Sequence, residues 1–138
     1  IRERLTDRLI ALQGARNLIG WGKKIAPGVF SPSTLRDRPD IVDRFEREFE
    51  TQAVGTYVRS CQILLGANTE AIASTVRVPC LGITGEHDQY APPDAVAAFL
   101  RRTPSRPALD VIPESAHLPF LEQPDSFAAA VKSFLRTC

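Results

Sequence analysis

The 138-residue sequence contains no methionine. A nascent chain begins with that residue, so a sequence opening at Ile1 reads as a piece of something longer. No apolar run approaches the roughly 20 residues that span a bilayer. Residues 1–10 carry Arg and Glu where a signal peptide needs its apolar stretch, so neither a membrane nor a secretory leader is indicated. Cysteine is scarce: Cys61, Cys80 and Cys138 are odd in number, far apart and without a C-x-x-C pair. Neither a disulfide framework nor a zinc site is therefore indicated, and reduced thiols in a cytoplasmic setting are the expectation. There is no excess of one charge either. With 17 Lys plus Arg against 16 Asp plus Glu and 43% apolar residues, neither a nucleic-acid footprint nor disorder is supported. Internal repeats and low-complexity tracts are absent, and no Gly-rich phosphate loop points to a nucleotide.

The charge that is present is unevenly spread. Eighteen of the first 50 residues are charged, against 15 of the remaining 88, so exposed helices are expected first and more buried structure afterwards. Ile1, Leu5, Leu9 and Leu12 recur at helical spacing, with Gly14 as a stop. From Pro39, which suits a first helical position, Ile41, Phe45, Phe49, Ala53, Tyr57 and Cys61 follow at i+4 along one face. A row of that kind drifts around a straight helix, so a break is expected between Thr51 and Gly55, with Gly66 closing the run. Between the two helical stretches, Trp21, Gly22, Pro27, Gly28, Phe30, Ser31 and Pro32 read as a punctuated connection. Thr69 to Thr75 suits a short helix.

Beyond Arg77 the pattern becomes that of an α/β protein. Val78 to Thr84 reads as a buried strand interrupted early by Pro79. Pro92 and Pro93 open a helix through Arg102, Leu109 to Ile112 forms a second strand, and Pro124 opens a helix whose packing face is Phe127, Val131, Phe134 and Leu135. Strand, helix, strand, helix favours two parallel strands. Two short strands make no independently stable sheet, so other segments or another chain are expected to complete it.

Parallel strands bind ligands beyond their carboxyl ends. There the sequence places Gly85-Glu86-His87-Asp88 after the first strand and Glu114-Ser115-Ala116-His117-Leu118 after the second. Asp88 would orient one imidazole nitrogen of His117 and leave the other free as a general base. His87 is a poorer base, because its sequence neighbour Asp88 cannot readily orient it. As isolated residues, Asp88 would serve as a helix cap and His117 as a structural histidine. Glu86 and Glu114 read as solvated turn residues and Glu122 as a helix-start charge. Trp21 and Phe30 are candidates either for an apolar substrate pocket or for the core, and Leu118, adjacent to His117, is a further pocket candidate.

These segments, with Ala91-Pro92-Pro93 and with Glu122-Gln123-Pro124-Asp125-Ser126-Phe127, resemble the C-terminal part of an α/β-hydrolase. That family places its acid in a G-x-x-D pattern after a strand. Its histidine precedes an E-x-P-x-x-F segment that opens the last helix. The resemblance covers residues 77–135. It implies Asp88 as acid and His117 as base, with residues 1–76 as a helical cap and residues 77–138 as the C-terminal part of the core. Thr51 to Ala67 is similar to the last cap helix of enol-lactone hydrolases of the 3-oxoadipate type. The implied fold is α/β, a cap followed by two parallel strands and two helices of an otherwise missing sheet. The implied reaction is ester or lactone hydrolysis without metal or cofactor. No Ser or Cys is flanked by glycines as a nucleophile elbow requires, so the nucleophile is expected from a missing N-terminal half. The alternative is a non-catalytic hydrolase-like module that binds a ligand or partner.

Overall fold

The computed structural model describes residues 2–105 and 107–137, with the backbone alone at Glu70. Ile1 of the first helical row and the Cys138 thiol lie outside the described residues. Six helices come first: α1 (Arg2–Ala11), α2 (Trp21–Val29), α3 (Pro32–Asp37), α4 (Pro39–Glu50), α5 (Val54–Gly66) and α6 (Glu70–Ala73). They are followed by β1 (Leu81–Gly85), α7 (Pro93–Leu100), β2 (Ala108–Ile112), α8 (Pro119–Glu122) and α9 (Pro124–Leu135). Among the described residues, no helix is long and apolar enough to cross a membrane.

The long i+4 row is broken where its drift requires. Helix α4 ends at Glu50 and α5 begins at Val54, turning between Phe49 and Tyr57 so that their rings still meet edge to face at 4.9 Å. Phe30 stands edge-on to Phe45 at 5.2 Å, and Phe45 lies 5.8 Å from Phe49. This aromatic row joins Leu12, Leu18, Ile25, Ala26, Val29 and Val42 in the main apolar cluster.

Residues 21–32, expected as a punctuated connection, instead form helix α2 and lead into α3. Pro27 lies inside α2, where its ring fixes a helical φ and leaves one backbone acceptor without its usual donor. Ser31 caps α3 by accepting from the Thr34 N–H at 3.2 Å, with Pro32 in the first turn. Gly22 permits α2 to cross α4 closely. A Cβ there would lie 2.6 Å from the backbone of Glu46.

The two strands pair in parallel, Leu81 opposite Ala108 through Gly85 opposite Ile112. Strand β1 begins two residues after Pro79, later than expected, because a proline has no N–H for the ladder. Pairing continues past the strand ends, with the Glu86 N–H donating to Ile112 at 3.0 Å and the His87 N–H to Ser115 at 2.9 Å. Helices α7 and α9 both pack on the strands. Yet α9 has no fully buried residue and Val111 is exposed, so part of this layer's apolar surface faces outward.

Candidate active site

Parallel pairing puts the loops after β1 and β2 on one edge, and Gly85 lets them touch. A Cβ on Gly85 would sit 2.2 Å from the Ala116 carbonyl oxygen and 2.5 Å from the Ser115 carbonyl group. The β1 loop then turns on Asp88. Its Oδ1 accepts from the Tyr90 N–H at 2.7 Å and the Ala91 N–H at 2.9 Å, a side-chain turn of the kind aspartate favours. Thr84, buried beneath the loop, donates to the Ala91 carbonyl at 2.7 Å. With Oδ1 committed to the backbone, Oδ2 faces the imidazole of His117, whose Nδ1 lies 3.0 Å away. Asp88 therefore does not cap α7, which has no side-chain cap.

The carboxylate is buried, with 4% of its side chain exposed, whereas the His117 side chain is 42% exposed. Burial alone would raise the Asp88 pKa. The hydrogen bonds from His117, Ala91 and Tyr90 outweigh it and hold the carboxyl below its ordinary value of 3.8. With Asp88 ionised, Nδ1 is the donor, so neutral His117 keeps a lone pair on Nε2. No described residue takes that nitrogen. The depressed pKa means that Asp88 contributes stability above the ordinary carboxyl range and loses it as pH falls through the folded-state value. Urea midpoints measured from pH 6 down to pH 2 are expected to fall more steeply below pH 4 in the wild type than in Asp88→Asn.

His117 is held from several sides. Its N–H donates to the Val29 carbonyl of α2 at 2.9 Å, and its ring lies 4.8 Å from that of Tyr90. One turn later comes Glu122, where the structure departs most from the sequence reading. Rather than a solvated helix-start charge, Glu122 is 5% exposed, accepting from the Ala116 N–H through Oε1 and the Ser31 N–H through Oε2, both at 2.7 Å. One carboxylate thus ties the loop of the histidine to the junction of α2 and α3. The Ser31 hydroxyl adds a bond to the Glu114 carbonyl at 3.1 Å. Glu122→Ala would leave two buried N–H donors unpaired and is expected to cost about 3 kcal/mol in urea unfolding, at 1–3 kcal/mol per orphaned group.

A cavity of about 290 Å³ opens beside the histidine, lined by Leu5, Arg8, Ile25, Val29, Leu64, Tyr90, Ala91 and His117. The three expected pocket residues lie elsewhere. Phe30 is 2% exposed in the helical core, Trp21 and Leu118 pack against that core, and Trp21 carries Lys24 over its ring at 5.0 Å. The sequence reading missed Arg8, Tyr90, Glu122 and the backbone of Val29. Only Tyr90 left a local signal, since its N–H lies two residues after an aspartate at a turn. His87 is exposed, 4.0 Å from Glu86 and directed to no part of the cavity wall. Its ring, Glu86 and Glu114 cluster within 4.8 Å on the surface. Ser115, two residues before the histidine, is fully buried and donates to the Ile112 carbonyl at 3.0 Å, out of reach of any substrate.

A helical layer ahead of two parallel strands, with the loops of both strands meeting at one edge, is the fold of the C-terminal portion of an α/β-hydrolase. The comparisons agree with the sequence resemblance. Over 97% of its length the chain superposes on half of the enol-lactonase from Burkholderia xenovorans with a TM-score of 0.85 at 19% identity. It superposes over 99% of its length on half of a malate-bound thermophilic esterase from Thermogutta terrifontis, with a TM-score of 0.84 at 21% identity. In sequence it is 28% identical over 109 residues to 3-oxoadipate enol-lactonase 2 of Acinetobacter baylyi, covering 78% of this chain and 39% of that protein. It is 35% identical over 75 residues to the pimeloyl-[acyl-carrier protein] methyl ester esterase of Nitrosospira multiformis, covering 54% of this chain and 28% of that protein. No family model matches. The chain thus spans half or less of the length of each of these relatives, which by name are esterases and lactonases.

Proposed function

We propose that this chain supplies the acid and base of an ester- or lactone-hydrolysing α/β-hydrolase whose nucleophile comes from polypeptide outside the 138 residues. The observation that carries the reading is the 3.0 Å contact between the Asp88 carboxylate and His117 Nδ1 at the wall of an apolar cavity. Residues 1–76 act as the lid and residues 77–138 as the C-terminal part of the core. The outward apolar surface of β2 and α9, together with exposed Phe120 and Leu121, supports a sheet completed by further strands.

In the complete site a hydroxyl nucleophile attacks the carbonyl carbon of the substrate while His117 Nε2 takes the hydroxyl proton. The imidazolium, held by Asp88, then gives that proton to the departing alkoxide, leaving an acyl-enzyme and an alcohol. For a lactone the alkoxide stays tethered to the acyl group. Water next attacks the acyl carbon, His117 accepts a proton from it and returns one to the nucleophile, and the carboxylic acid leaves. Burial of Asp88 keeps water from competing for the imidazole.

Hydrolysis of p-nitrophenyl acetate tests the reading. The 138-residue chain alone is expected to show neither burst nor turnover. The hydrolase containing it should show both, and His117→Ala should abolish them. A burst from the 138 residues alone, or turnover that persists in His117→Ala, would overturn the assignment.

A further inference from the structure

Arg8 is a half-buried cation without an anion. Its Nη1 donates to the Tyr57 hydroxyl at 3.2 Å and its Nη2 to the Tyr90 hydroxyl. The guanidinium also lies over the Tyr90 ring, 5.3 Å from its centroid. Both hydrogen-bond partners are phenols. Burial, with the neighbouring Cys61, pushes the Tyr57 phenol up to about 12, the Arg8 charge notwithstanding, so it does not ionise to balance that charge. No carboxylate among the described residues lies within ion-pair distance of Arg8. A guanidinium has five N–H donors and two are used here. A cation in such a setting is ordinarily paired, because partial desolvation makes an unpaired charge costly.

Its surroundings point the same way. Arg8, Ile25 and Tyr90 form the shared wall of two cavities. The inner one is the 290 Å³ space that His117 lines, and the outer one, about 360 Å³, is rimmed by Arg4, Lys24 and Asp7 as well as Arg8. Three cations against one acid make the outer cavity electropositive, which draws anions inward. Arg4 is anchored there by donating to Gln89 Oε1 at 2.9 Å. The Tyr90 ring neighbours both groups, its centroid lying 5.3 Å from the guanidinium and 4.8 Å from the centroid of the imidazole.

We infer that Arg8, fixed between Tyr57 and Tyr90, is the anchor for a carboxylate on the ligand, so that the protein selects acyl substrates carrying a free acid group over their neutral counterparts. The planar fork of Arg8 binds the carboxylate through its remaining N–H groups, and the phenol proton of Tyr90, whose oxygen accepts from Arg8, can add a further bond. The acid group is held at Arg8 while the reacting carbonyl reaches His117 in the same cavity. The inference rests on the inner cavity being the substrate site, as proposed above, but it does not need the histidine to act as a base.

Binding of 4-phenylbutyrate and its uncharged amide, 4-phenylbutanamide, separates the two statements, because neither compound is an ester. Calorimetric titration is expected to show the acid binding at least about tenfold tighter than the amide, as a charge-assisted bidentate pair allows. Arg8→Gln should erase that preference and leave amide affinity within about twofold. Arg8→Lys keeps the charge without the fork and should retain only part of the preference, giving the answer if the Gln variant fails to fold. His117→Ala should preserve the preference, so a failed base assignment would leave this result standing. Equal affinity for acid and amide, a preference that survives Arg8→Gln, or binding of neither probe would overturn the inference.

Discussion

Under the proposed function, Asp88→Asn is expected to lower the kcat of ester hydrolysis by about three to four orders of magnitude with little change in fold. The hydrogen bonds fix the reason. Oδ1 of Asp88 receives two backbone N–H groups, from Tyr90 and Ala91. An asparagine must turn its carbonyl oxygen to those donors, which leaves its NH₂ facing His117 Nδ1. Two donors cannot share that contact, so Nδ1 becomes the acceptor and the ring proton moves to Nε2. The nitrogen that has to take a proton from the nucleophile then already carries one. Because the backbone bonds survive, the loop keeps its shape, and circular dichroism and the thermal midpoint should change far less than the rate.

Gly85→Ala should act in the opposite manner, through packing first and chemistry second. Its added Cβ meets the Ala116 and Ser115 backbone at 2.2 to 2.5 Å, and no side-chain rotation relieves a clash with main chain. The His117 loop must move away from β1, giving up the His87 N–H bond to the Ser115 carbonyl and the alignment of Nδ1 with Asp88. Overpacking of this kind costs about 3 kcal/mol, and a displacement of about 1 Å at a reacting group costs roughly a hundredfold in rate. Gly55→Ala is the control. A Cβ there meets nothing within 4 Å on an exposed helix, so it should be neutral or slightly stabilising.

The contrast between Asp88 and Glu122 shows what a sequence of this kind reveals. Asp88 and His117 were legible because their placement depends only on strand order. Two parallel strands bring their carboxyl ends to one edge, and a carboxylate and an imidazole there find each other. The break in the α4–α5 row was legible for a similar reason, since a helix of 3.6 residues per turn cannot carry an i+4 row indefinitely. Glu122 was hidden because what defines it is a pair of backbone N–H groups, one from Ala116 and one 91 residues away at Ser31. Backbone donors have no side-chain signature, so a charged residue just ahead of a helix looks solvated whether or not they are present. Helix α2 was obscured by its own Pro27, which reads as a breaker although tertiary packing of Ile25, Ala26 and Val29 holds the helix together. The lining of the cavity beside His117 was hidden as a consequence. With Trp21 and Phe30 in a helical layer, their rings go to core or surface, and the wall beside His117 falls to Leu5, Arg8, Ile25 and Val29 of α1 and α2.

The structure also ties the helical layer to the loop that carries His117. The Val29 carbonyl holds the His117 N–H, the Ser31 N–H shares the Glu122 carboxylate with Ala116, and Arg8 donates to Tyr90. Any movement of α2 relative to the strands is therefore coupled to the position of the imidazole.

The most direct test of the acid–base pair is the ¹⁵N spectrum of the His117 ring followed through its titration. The expected result is a neutral ring protonated at Nδ1 with Nε2 bare, and a change to the Nε2–H tautomer in Asp88→Asn. A wild-type ring already protonated at Nε2, or an Nδ1 signal indifferent to Asp88→Asn, would contradict it.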